Sequence, residues 1–231
     1  MYEELIQGPA EESVTVGEQA AWSRFDAPDP ITGSPPVDNP DYLLVQSQIT
    51  GAREEIERLT RYCMSIQRWR QIMPAFPGAH YWMDPVYDRV QGGMPQQSIE
   101  LLRRPVQSID LIQYLATDGT LAILDPSTYV LGNNSVILNV NQTWPVAANR
   151  ENAVRIEFTA GYDPTGSPPT PTPGRLKIAN MFLAGWWYEN RLPVGTQPTT
   201  DIANTLKNIL TGFRSNYLAR PTGANWYPRF W

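Results

Sequence analysis

The sequence predicts an α+β protein: a small helical bundle with an inserted antiparallel β-rich subdomain and an extended C-terminal arm. Three observations carry this prediction. Residues 153–159, Ala-Val-Arg-Ile-Glu-Phe-Thr, alternate strictly between apolar and polar side chains, as a half-buried strand does. Through a proline-rich loop they lead to residues 175–190, where Leu176, Ala179, Leu183 and Trp186 recur at helical spacing. Far upstream, a second and longer helical stripe opens at Asn39-Pro40, and short alternating runs separated by turn residues fill the interval.

Composition sets the class. At 231 residues with 42% hydrophobic side chains, the chain is long enough for one substantial core or two small ones. Its 22 prolines run at about twice the ordinary ~5%, which predicts fixed loops and extended arms. Eighteen basic against 23 acidic residues leave a net charge of −5. That balance disfavours a general DNA-binding or membrane-surface protein. A single cysteine, Cys63, excludes an internal disulfide framework. Residues 1–10 lack the apolar run of a signal peptide, and the uncharged run 178–188 is too short to span a bilayer, which needs ~20 residues. A cytoplasm-like compartment is the expectation.

In chain order, residues 1–12 read as a polar arm. Thr15 and Glu18 have the spacing of a capping box, which starts a short helix running to about Phe25. Residues 27–40 carry five prolines and form a linker. The long helix follows, with Tyr42, Val45, Ile49, Ala52, Ile56, Leu59, Cys63 and Ile66 on one face. Glu54 with Arg58, and Glu57 with Arg61, are spaced for supporting ion pairs of ~0.2–0.5 kcal/mol each. Strands are expected at 66–73, 98–102, 108–116, 121–124, 129–131, 136–140 and 153–159, as a meander. Asp118-Gly119 marks a hairpin turn. Residues 79–97 read as a loop excursion, and Thr200 caps a last helix faced by Ile202, Leu206, Ile209 and Phe213. The expected divisions are an arm at 1–12, helices at 13–66, a β-rich insertion at 67–162, helices at 174–218 and a C-terminal arm at 219–231.

Reactive chemistry is nearly absent. One histidine, His80, excludes a multi-histidine metal site, and no Walker loop, dinucleotide fingerprint or Gly-x-Ser-x-Gly elbow is present. Cys63 lies on an apolar helical stripe, so a buried, inert thiol is favoured over a nucleophile. Asp84 and Asp88 read as solvated loop residues rather than an acid–base pair. Trp186, Trp187 and Tyr188 sit at helical spacing, which favours core or subunit interface over a sugar-stacking platform. The expectation is no catalytic residue, no metal and no cofactor: not an enzyme.

Several motifs then resemble a known family in their joint order. They are Val14-Thr15 with its short helix, the long helix ending near Tyr62-Cys63, and Trp69 before Phe76-Pro77-Gly78. Further on come Arg103-Arg104-Pro105-Val106-Gln107-Ser108-Ile109, Thr117-Asp118-Gly119-Thr120, Asp125-Pro126-Ser127-Thr128-Tyr129 and Trp144-Pro145. Residues 152–162 and Trp187-Tyr188-Glu189-Asn190-Arg191 complete the set. Over residues 13–218 the chain resembles the head–tail connector (adaptor, or head-completion) proteins of tailed bacteriophages. The chain departs from the family at 27–37, 79–96 and after Leu218. The resemblance implies a structural virion protein of the neck, assembled in the host cytoplasm. It further implies a dodecameric ring beneath the portal that extends the DNA channel, with DNA passing through without sequence-specific binding and no membrane involved. The partners implied are the portal protein, neighbouring copies of the chain, and a downstream neck or tail protein.

Three surfaces are expected on this basis. Trp186, Trp187 and Tyr188, on a helix apolar nearly all round, should meet a neighbouring subunit. Tyr81, Trp82 and Tyr87, in the excursion, should face the tail side. The C-terminal arm, with Arg220, Trp226, Tyr227, Arg229, Phe230 and Trp231, should dock on the portal; Pro221, Gly223 and Pro228 exclude a regular helix there. The competing class is a carbohydrate-binding or adhesin module, since eight tryptophans and eleven tyrosines offer stacking platforms. A single-stranded nucleic-acid binder is a third class, for which only residues 214–231 interleave arginines with aromatics.

Overall fold

The structure is a computed structural model that describes residues 1–23, 40–77, 98–190 and 199–213. The elements in chain order are β1 (Tyr2–Gln7), α1 (Val16–Ser23), α2 (Pro40–Thr60), β2 (Gln67–Met73), β3 (Ser98–Glu100) and β4 (Val106–Leu115). Next come β5 (Leu121–Ile123), β6 (Tyr129–Leu131), β7 (Ser135–Leu138), β8 (Val154–Ala160), α3 (Gly174–Glu189) and α4 (Thr199–Ile209). The fold is α+β, with two antiparallel sheets beside a helical bundle.

Local chemistry starts and stops these elements. The Thr15 hydroxyl accepts from the Glu18 amide at 3.1 Å while Glu18 accepts from the Thr15 amide at 2.8 Å, closing the capping box of α1. On α2 the buried side of the stripe is Val45, Ile49, Ala52 and Ile56. The helix ends at Thr60, short of the stripe's end at Ile66: the Thr60 hydroxyl donates to the Ile56 carbonyl, and Arg61 turns the chain with φ 67. Cys63 and Met64 thus leave the helix and enter two different cores.

β8 lies at the centre of a five-stranded sheet ordered β1-β2-β8-β4-β5. Its register sets Phe158 opposite Trp69 and Ile109, and Ile156 opposite Gln71 and Ile112. Val154, Ile156, Phe158 and Ala160 face the core, and Arg155, Glu157 and Thr159 take the other face, as the period of two requires. Charges neutralise one another there: Glu157 accepts from Arg70 at 2.7 Å and Arg68 at 3.1 Å, and Arg70 also reaches Glu4 at 3.1 Å.

Two expectations are corrected. The N-terminal arm is a strand, β1, paired antiparallel to β2. Its sequence hides this because it lies at the sheet edge with both faces largely exposed, so no alternation was imposed on it. Nor do the middle strands form one meander. β5 ends the large sheet, and β6 begins a separate three-stranded sheet ordered β3-β7-β6. Between them Asp125 caps a 3₁₀ turn, Pro126–Thr128, through the Ser127 amide at 2.8 Å.

Two hydrophobic cores result. One lies between the sheets and includes Trp69, Phe76, Ile99, Leu101, Ile112, Val136, Ile156 and Phe158. The other fills the bundle of α2, α3 and α4 with Val45, Ile49, Ile56, Met64, Leu176, Leu183, Leu206 and Leu210.

Candidate interaction surfaces

A buried polar seam joins the two cores. Arg53, with its side chain 5% exposed, bridges Glu12 at 2.9 Å and Glu57 at 3.0 Å. Glu57 in turn accepts from the Met64 amide at 2.7 Å and from the Gln67 side chain at 2.8 Å, so one carboxylate organises the passage from α2 into β2. Arg103 closes the far side. It pairs with Glu3 at 2.6 Å, donates to the Glu57 carbonyl at 3.2 Å, and sets its guanidinium 3.9 Å from the Trp69 ring centre. Arg61 pairs with Glu3 as well. The N-terminal segment therefore fastens both halves, Glu3 on the sheet side and Glu12 on the helix side.

This arrangement corrects the expected helix-surface pairs. Glu57 turns back to Arg53, Arg58 pairs with Glu55 at 2.6 Å, and Arg61 reaches Glu3. The reason is burial. Glu57 and Arg53 lie on the packed side of α2, where a charge needs a close partner, whereas Glu54 is 65% exposed and makes only a long contact of 3.6 Å, to Arg53 rather than Arg58. Among the seam residues, Glu3, Glu12 and Arg103 carried no periodic signal, since their partners are distant in sequence; Arg53 stands four residues before Glu57, a helical spacing that the sequence reading passed over.

Burial pushes the Glu57 carboxyl above its ordinary range, against the pull of Arg53 and its hydrogen bonds. A raised carboxyl holds its proton more tightly in the folded state than in the unfolded one. Stability relative to Glu57→Gln is thus greatest at acid pH and falls as pH climbs from the unfolded value, about 4.3, to the folded one. The expected result is a melting-temperature difference, wild type minus Glu57→Gln, that declines as pH rises from 4 to 8. A difference that grows with pH overturns this assignment. Burial likewise pushes the Cys63 thiol far above its usual range, which leaves it inert.

The aromatic stretch of α3 divides. Trp187 packs on α2: a Cβ built on Gly51 would stand 3.2 Å from its ring. Tyr188 donates its hydroxyl to Asp41 at 2.9 Å. Both make these contacts to α2 within the subunit and remain partly exposed. Trp186 instead lines an open groove with Trp22, Phe182 and Glu189, between α1 and α3. Gly185 permits that approach, since a Cβ there would lie 3.0 Å from the Ser23 hydroxyl.

Tyr81, Trp82 and Tyr87 lie outside the described residues, as do Arg220, Trp226, Tyr227, Arg229, Phe230 and Trp231. His80, Asp84 and Asp88 lie outside them too. Among the described residues no group of three His, Cys, Asp or Glu side chains is placed to hold a metal ion.

The fold is shared, end to end, with chains of phage-like particles. One belongs to the neck of an empty gene transfer agent particle computed with C6 symmetry: TM-score 0.66, 17% identity, covering 97% of this chain and 99% of that one. A second belongs to the virion of the native gene transfer agent particle, with TM-score 0.64 and 18% identity over the same shares. A third, in the native neck computed with C12 symmetry, gives TM-score 0.58 and 15% identity, again over 97% and 99%. No family model matches the sequence, and no curated relative does either. The particular fold is thus one found in a neck of the gene transfer agent, in agreement with the resemblance drawn from the sequence.

Proposed function

We propose that this protein is a structural neck component, a head–tail connector that forms a ring beneath the portal, extends the DNA channel and links capsid to tail. The observation that supports it most is the end-to-end likeness to chains of particle necks determined with sixfold and twelvefold symmetry. Because the likeness spans both chains almost completely, the helical bundle and the β-rich insertion are matched together. A net charge of −5 suits a channel through which DNA slides without being held by its phosphates. The role is one of assembly rather than catalysis, and its place is the virion neck.

Within this reading residues 219–231 are the portal-docking arm. Burying Trp226, Tyr227, Phe230 and Trp231 removes about 800 Å² from water at ~200 Å² each, or ~20 kcal/mol gross. Ordering the arm's backbone costs about 1–2 kcal/mol per residue, which offsets most of that. A single arm therefore binds weakly, and a ring of arms binds firmly through effective concentration. Truncation after Leu218 is expected to leave the thermal melt nearly unchanged and to abolish co-sedimentation with the cognate portal. A truncated protein that still saturates the portal removes the arm from this role. Full-length protein that does not bind the portal removes the connector reading itself.

A further inference from the structure

We propose that copies of this chain join through their sheet edges, the β1 edge of one subunit meeting the β5 and β6 edges of the next. The inference rests on the connector reading and supplies the surface that the ring would use. Thirteen large apolar side chains are exposed among the described residues, and eight of them fall at these two edges, so the edges are where apolar surface concentrates. On β1 and the residue before it they are Met1, Tyr2, Leu5 and Ile6. On the opposite side they are Leu121 and Ile123 of β5 with Val130 and Leu131 of β6.

Topology places the two sets correctly for a ring. β1 and β5 are the two ends of the five-stranded sheet, four strand spacings or about 19 Å apart. β6 is likewise the terminal strand of the small sheet, and only the turn around Pro126–Thr128 separates it from β5. Within the described residues each of these strands pairs on one side only. A terminal strand presents a row of unpaired amides and carbonyls that another strand satisfies. Natural edges are ordinarily blunted with charge. β5 and β6 carry none, and in β1 Glu3 and Glu4 are already engaged by Arg103, Arg61 and Arg70.

Cyclic assembly needs two different, complementary patches on opposite sides of a subunit, because a patch that pairs with itself closes at a dimer. The sheet has such a pair. β5 spans three residues, so each junction is short and a closed ring is what makes it durable.

The test is a doubly substituted chain, Leu5→Cys with Ile123→Cys, treated with a short bismaleimide both as concentrated protein and seated on the cognate portal. The native Cys63 is buried and does not compete. The expected product on a denaturing gel is a ladder extending beyond the dimer, with each single-cysteine variant remaining monomeric. In parallel, Leu121→Lys with Ile123→Lys should keep the wild-type melt and lose at least ten-fold in ring occupancy on the portal. Dimers from Leu5→Cys alone, which would mean two-fold β1 pairing, overturn the proposal, as does the absence of a ladder in both states. Co-sedimentation of the same samples with portal reports on the connector reading separately. Protein that seats on the portal without a ladder removes edge pairing and leaves the connector role standing.

Discussion

Replacing Gly161 by alanine is expected to cost about 4 kcal/mol or more, a large share of the ~5–15 kcal/mol that holds a native domain together. Gly161 follows β8 with φ 126, a backbone region that L side chains rarely adopt. A Cβ there would stand 2.0 Å from the Ser65 carbonyl oxygen and 2.5 Å from its carbon. The obstacle is backbone, which a rotamer change cannot clear. Nor is the neighbourhood free to move, because the Gly161 amide donates to Pro105 at 2.8 Å and its carbonyl accepts from the Gln107 side chain at 2.8 Å. Urea denaturation of Gly161→Ala beside Gly119→Ala is the measurement. Gly119 also has positive φ, 87, but nothing lies within 4 Å of its added Cβ, so only the backbone term of about 1–2 kcal/mol applies. Equal losses in the two variants would mean that the close approach to Ser65 is not a constraint.

Arg103→Ala is the second large effect, expected at about 3–5 kcal/mol, the usual cost of removing one partner from a buried ion pair. The Arg103 and Glu3 side chains are 9% and 14% exposed, so the carboxylate keeps only the half-exposed Arg61 and gains little water in place of the lost guanidinium. The variant also loses the hydrogen bond to the Glu57 carbonyl and the stacking on Trp69, which adds about 1 kcal/mol. For a chain of this size that amounts to a melting shift of roughly 10 °C. Arg58→Ala provides the contrast. Its side chain is 60% exposed and its pair with Glu55 is worth at most about 1 kcal/mol. The double variant Arg103→Met with Glu3→Gln should recover a good part of the loss, because it leaves no buried charge unpaired; Arg61, which also loses Glu3, is 38% exposed and turns to water. If the single and double variants are equally destabilised, packing against Trp69 rather than the ion pair carries the seam.

The helices and most strands were legible because each answers to a periodic constraint. The stripe of α2 and the alternation of β8 follow from one face meeting a core, and the capping box of α1 from the free amides of a helix start three residues apart. β1 was not legible. A terminal strand has no buried face to impose a pattern, and Tyr-Glu-Glu-Leu-Ile-Gln reads as a polar arm until β2 pairs with it. The aromatic run on α3 was seen as a unit, yet Trp187 and Tyr188 reach Gly51 and Asp41 of α2 while Trp186 lines the groove towards α1.

What the sequence by itself determined is the α+β class, the positions of the long helices and central strand, and the poverty of reactive side chains. These rest on local spacing and composition, which a linear chain displays directly. Only the tertiary structure decided that the middle strands divide into two sheets, and that Glu3, Glu12, Arg53, Glu57 and Arg103 meet in one seam. Those partners lie as far as a hundred residues apart. Long-range pairing of charges leaves no period in the sequence, because it is fixed by which buried groups need satisfying once the two cores have formed.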